Sequence, residues 1–152
     1  MTNKEFLRQG FDLHVKIEKI QRRIDVLNSH LQGSSPTIKI GSSGTRVIGS
    51  AFEDTMVEIV DLKNQKEELE KQYSAIRQTI AAVISAIGDE TCEALLRDRY
   101  LLFLSWKDIA LELGYQMSYT YELHGRALQL VKIPNSGVDR SSTDLNGVIS
   151  SL

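Results

Sequence analysis

Apolar residues at Phe6, Leu13, Ile17, Ile20, Ile24, Leu27 and Leu31 recur three or four positions apart from Leu13 onward, the spacing of one stripe along a helix. The pattern stops at Gly33-Ser34-Ser35-Pro36, with a glycine just past the last periodic residue and a proline shortly after. A second, longer pattern runs from near Ser50 to Gly88. Read as heptads, it places Phe52, Ile59, Lys66, Tyr73, Ile80 and Ile87 at a, and Thr55, Leu62, Leu69, Ile76 and Val83 at d. Only Thr55 and Lys66 among these are neither apolar nor aromatic, so a coiled-coil-like helix is predicted. No proline lies between Pro36 and Pro134, which permits continuous helix over most of that stretch.

After Gly88 the pattern shortens. Asp89 is placed to cap a helix carrying Cys92, Leu95, Leu96, Tyr100 and Phe103, and Asp89 and Glu90 suit its positive end. Ser105-Trp106-Lys107-Asp108 is a capping box opening a helix with Ile109, Ala110 and Leu113 inward. Gly114 closes that helix where a left-handed residue is needed. Ser118 then caps a last helix running toward Val131. Short helix, glycine turn, longer helix is the helix-turn-helix order, with Ile109, Leu113, Tyr115, Thr120 and Leu123 at its inward positions and Ala110 allowing a close crossing.

Charge refines this outline. Residues 3–32 carry net +2 and residues 51–87 net -3, which either favours pairing of the two long helices in an antiparallel hairpin or reflects solvated outer faces. The joining segment, 33–49, is too long for a simple helical turn. Its Gly41-Ser42-Ser43-Gly44-Thr45-Arg46 lacks the lysine and preceding strand of a phosphate-binding loop, so it reads as a glycine-serine loop. Residues 91–133 carry five basic and five acidic groups, and the whole chain of 152 residues has a net charge of -2. A neutral module of this kind needs dimerisation or a protein partner to hold duplex DNA at physiological salt.

The single cysteine, Cys92, excludes an intramolecular disulfide framework and a multi-cysteine metal site, and reads as a packed thiol. The first residues lack the apolar core of a signal peptide, and no run is long enough to span a membrane; a cytoplasmic, membrane-free location is expected. No nucleophile-base set, paired carboxylates or metal-ligand spacing appears, so no enzyme, cofactor or metal is expected. His124 reads as a packing or helix-surface residue, because His14 and His30 are remote from it.

The run LLRDRYLLFLSWKDIALELGYQMSYTYELHGRALQLV resembles region 4 of sigma-70-type factors, with its W-x-x-I-A-x-x-L-G turn and a following helix ending in an A-L pair. Preceded by a long charged helix, it is similar to phage and prophage regulators of the ArpU/RinA type, over residues 91–131 and more loosely 47–90. The resemblance implies promoter binding in late phage transcription, with Gly114 as turn glycine and Ser118–Val131 as recognition helix. Met117 and Ser118 stand where sigma region 4 usually carries arginine and glutamate.

At about 100° per residue, Thr120, Leu123, Ala127 and Leu130 face the core of such a module. Ser118, Glu122, Gly125 and Gln129 then lie opposite, flanked by Tyr119, Tyr121 and Arg126, and these seven are the candidate DNA-binding residues. Gln129 suits adenine, Glu122 suits cytosine, and the tyrosine hydroxyls and Arg126 suit phosphates. Gly125 costs about 1 kcal/mol in a helix, which close approach of DNA or another backbone would explain.

The expected architecture is all-α: a long helical hairpin over 1–87 for assembly, a helix-turn-helix over 88–133, and a loose tail over 134–152. The expected function is DNA-binding transcription regulation, with double-stranded DNA, RNA polymerase and further copies of the chain as partners. Two alternatives are a phage DNA-packaging recognition subunit resembling a small terminase, and a structural coiled-coil adaptor.

Overall fold

The chain's first turn is fixed by a reciprocal cap. Thr2 Oγ1 accepts the Glu5 amide at 3.1 Å, and the Glu5 carboxylate accepts the Thr2 amide at 2.7 Å. These bonds, with the backbone bond foremost, hold the Glu5 carboxyl below the ordinary carboxylate range. They start the first helix at Asn3, three residues ahead of the apolar stripe that announces it.

The computed structural model describes residues 1–33 and 45–134, with residues 45–50 described by backbone only. The described residues form five helices: α1 (Asn3–Gly33), α2 (Thr45–Ser85), α3 (Glu90–Tyr100), α4 (Trp106–Leu113) and α5 (Met117–Leu130). The fold is all-α, as expected, and no helix among the described residues is long and apolar enough to cross a membrane. α2 begins five residues earlier than the periodicity suggests and takes in the end of the expected loop; the expected tail from residue 135 onward lies outside the described residues.

Two compact units divide the chain: Arg8–Ile80, and Met1–Leu7 together with the chain from Ala81. The division therefore falls inside both long helices rather than at residues 87 and 88.

Within the first unit, α1 and α2 pack as an antiparallel pair. His14 meets Tyr73, Gln21 meets Lys66, and Arg23 meets Glu58, so partners descend along α2 as they ascend along α1. Ile24, Leu27 and Ile59 form the buried centre, with Ile20, Leu31 and Leu62 packed around it. Every a and d position from Phe52 to Ile76 is buried or half-buried, which is the heptad register realised. Lys66, the one charged a position, stays half-buried by donating to Gln21 Oε1 at 2.6 Å and pairing with Glu70 at 3.5 Å.

The second unit gathers α3, α4, α5, the end of α2 and the first turn of α1. Leu7, Ile84, Leu95, Leu96 and Ile109 are fully buried, with Phe6, Val83 and Leu123 nearly so. Asn3 Nδ2 donates to the carbonyls of Leu128 at 2.7 Å and Val131 at 3.0 Å, satisfying two groups at the open end of α5. The start of the chain is thus a working part of the helix-turn-helix unit, a role its sequence pattern does not express.

α3 ends at Tyr100, so Phe103 is not on it. The amides of Leu101 and Leu102 turn back to the Arg97 carbonyl, and that of Leu104 to Asp98, which forces Phe103 to φ 58. A bulky residue in the left-handed region costs on the order of 1–2 kcal/mol. The turn is held further by Arg99, which donates to the Leu104 carbonyl at 3.0 Å.

Candidate nucleic-acid interface

Three local devices build the helix-turn-helix. The Asp89 carboxylate accepts the Cys92 amide at 3.0 Å and opens α3; the Ser105 hydroxyl accepts the Asp108 amide at 3.2 Å and opens α4. Gly114, at φ 76, lets both its own amide and that of Tyr115 reach the Ala110 carbonyl, reversing the chain between α4 and α5. All three positions are those the sequence marks.

The start of α5 differs from expectation. The helix begins at Met117, its cap position is Gln116, and no side chain caps it; Ser118 lies already in the first turn. The Gln116 carbonyl accepts the first helical bond, from the Thr120 amide at 3.0 Å, and also the Thr120 hydroxyl at 2.9 Å. Thr120 can therefore be fully buried without an unpaired hydroxyl.

Thr120, Leu123, Ala127 and His124 form the inner side of α5, joined by Val131 beyond its end. Leu130 does not belong there: it is 43% exposed, and Val131 lies closer to the inward line at 100° per residue. Tyr115 is likewise turned outward past Gly114, its ring edge-on to Tyr119 at 4.8 Å between centroids.

An aromatic cluster locks α5 against α3 and α4. Tyr100 Oη and His124 Nε2 share a hydrogen bond of 2.7 Å. The Trp106 ring stands edge-on to His124 at 4.6 Å and tilted against Tyr121 at 5.2 Å, and the Arg99 guanidinium sits 4.7 Å over it. Burial, then the cations Lys4 and Arg99, push the His124 pKa down to about 4. Its imidazole is a neutral packing group at physiological pH, in keeping with the sequence reading.

Asp98 of α3 is buried, and its pKa is raised by that burial and then by Glu112 of α4, which it hydrogen-bonds. Folding thus brings together a carboxyl pair that the sequence, with the two residues on different helices, does not reveal. Burial, then Asp89, raises the Cys92 thiol, leaving it a packed, unreactive group.

All seven candidate DNA-binding residues, Ser118, Tyr119, Tyr121, Glu122, Gly125, Arg126 and Gln129, are exposed on α5. Ser118, Glu122, Gly125 and Gln129 lie within about 40° of one line opposite the buried side. A side chain at Gly125 would meet nothing within 4 Å among the described residues, so none of their backbone accounts for this glycine. Leu111, Tyr115, Met117 and Tyr119 of this unit are also exposed. No family model, curated protein or solved structure matches the chain.

Proposed function

We propose that the chain binds duplex DNA in a sequence-dependent way through α5 and regulates transcription, as the resemblance to late phage regulators implies. The supporting observation is the two-sidedness of α5. Thr120, Leu123, His124 and Ala127 anchor one side after a left-handed glycine turn, and Ser118, Glu122, Gly125 and Gln129 leave a polar, open line on the other. A helix so held can lie in a major groove with short side chains near its start and amide and carboxylate groups along it.

Affinity is the weaker half of this design, because basic and acidic groups balance across the module. Arg97, Lys107, Arg126 and Lys132 are its exposed cations, too few for tight non-specific binding. Contacts to RNA polymerase or further copies of the chain supply the remainder.

Selection of bound sites from random duplexes tests the reading. Arg126→Ala weakens binding to all sequences and flattens the salt dependence by about one charge, whereas Gln129→Ala and Glu122→Ala change the preferred site. Failure to enrich any sequence at low salt refutes it. A second reading, an adaptor that docks protein, is favoured by exposed Leu111, Tyr115, Met117 and Tyr119, side chains of the kind that fill interface centres. Binding of duplexes that is lost with the α5 variants decides against that alternative.

A further inference from the structure

The first turn of α1 adds charge to the unit that carries α5. Asn3 Nδ2 donates to the Leu128 and Val131 carbonyls at 2.7 and 3.0 Å, which fastens the start of α1 to the end of α5. Lys4 follows Asn3 and Lys132 follows Val131, so each lysine stands one residue past a partner in this contact. Both are exposed, and neither makes a hydrogen bond or ion pair among the described residues. Lys4 is also near enough to the buried His124 ring to stand ahead of Arg99 among the cations that lower its pKa. Glu5, the neighbouring carboxylate, is turned to its own helix end, where it accepts the Thr2 amide at 2.7 Å. Arg97, by contrast, is paired with Glu93 at 3.7 Å, and Arg99 is engaged with the Leu104 carbonyl and the Trp106 ring.

We propose that Lys4 and Lys132 hold one phosphate backbone of duplex DNA at the end of α5. Such a clamp presupposes α5 as the recognition helix of the function proposed above, and extends its contact surface to the start of the chain. Gln129, the last group on the open line, lies three residues before Lys132. A major groove is about 12 Å wide and bordered by phosphates, so a helix that brings Gln129 to a base edge carries the groups past its end to the groove's border. Two ammonium groups without a carboxylate partner suit that border, where they neutralise phosphates and release counterions. The charge balance of residues 91–133 omits half of this pair, because Lys4 joins the module only through folding.

Cations also stabilise the negative end of a helix, and that is the competing role for both lysines. The two roles move different quantities. A phosphate contact changes affinity and its salt dependence, whereas a contact with the helix end changes unfolding stability.

Anisotropy titration of the full chain against a duplex selected by the native protein, at several salt concentrations, separates them, with urea unfolding of each variant alongside. Lys4→Gln and Lys132→Gln each lower affinity about fivefold at about 0.15 M salt and reduce the salt slope by about 0.9. The double variant loses about twice as much on a logarithmic scale. The preferred site stays the same, since phosphate contacts carry no base sequence. Lys4→Arg retains the affinity. Lys19→Gln, which removes an exposed lysine from the other unit, leaves affinity and slope unchanged. Three results overturn the clamp: unchanged affinity and slope in Lys4→Gln, a loss of unfolding stability that accounts for the whole loss of affinity, or an equal loss in Lys19→Gln. A native protein that selects a site, with Lys4→Gln binding it equally well, leaves the role of α5 standing and removes only the clamp. A native protein that enriches no site removes both.

Discussion

Acidification should loosen the helix-turn-helix unit through a single ring. His124 is held neutral in the folded chain with its pKa at about 4, against 6.5 for an unperturbed histidine. The unfolded chain therefore takes up the proton first, and stability present above pH 6.5 is lost as pH falls toward 4. Linkage between these two values removes about 2 kcal/mol on going from about pH 7.5 to about pH 5, and about 3 kcal/mol by about pH 4. These are upper values, since solvent at the ring edge screens part of the charge. Asp98 acts in the opposite sense: its raised pKa makes the folded chain the better proton acceptor, so its protonation adds stability at low pH. A comparison between two proteins cancels that contribution.

Urea unfolding followed by the fluorescence of Trp106, the only tryptophan and a direct neighbour of His124, supplies the assay. In His124→Phe the hydrogen bond between Tyr100 and the ring is lost, costing about 1 kcal/mol at neutral pH, but the histidine's share of the pH dependence disappears. Between about pH 7.5 and about pH 5 the native protein loses about 2 kcal/mol more stability than the variant. Parallel profiles over that interval would refute the reasoning, because the ring would then titrate as it does in the unfolded chain.

Three further outcomes follow from the local geometry. Asn3→Ala removes two hydrogen bonds to the end of α5 and should lower stability by about 1–2 kcal/mol in thermal or urea unfolding, although the residue lies more than a hundred positions from its partners. Gly114→Ala places a side chain at φ 76 and should cost about 1 kcal/mol in the same assays, with open space around it excluding a clash as the cause. Gly125→Ala should do the reverse, raising stability by up to about 1 kcal/mol while weakening duplex binding in an anisotropy titration; unchanged binding would remove Gly125 from the interface.

What the sequence expresses about this fold is mostly short-range. The heptad register of α2 is readable because burial repeats on one helix, and the caps at Asp89 and Ser105 and the turn at Gly114 because each bond closes over three to five residues. The Thr2–Glu5 box is equally local and could have been found from its spacing alone. Other features depend on chain segments that meet only after folding. Nothing near His124 announces Tyr100, nothing near Asp98 announces Glu112, and Asn3 carries no sign that it closes α5. The outward Tyr115 and Leu130 show a different limit: periodicity assigns a side, but each sits where the helix is just beginning or ending and the line of burial passes to a neighbour.

The division of the chain gives α1 two tasks. α1 contributes Asn3, Phe6 and Leu7 to the unit that holds α5, and from Arg8 onward it pairs with α2 in the other unit. The unit that would read DNA is electrically balanced, so one copy gains little from phosphate neutralisation. Joining several copies changes that arithmetic without altering any contact to DNA. Once one α5 is seated, a neighbouring α5 within reach binds as an intramolecular event, and weak individual affinities multiply. The same neutrality suppresses capture by random duplex, so discrimination between sites rests on the few groups along the open line of α5. If the hairpin joins copies of the chain, it supplies, through copy number, the affinity that the charge balance of the module withholds.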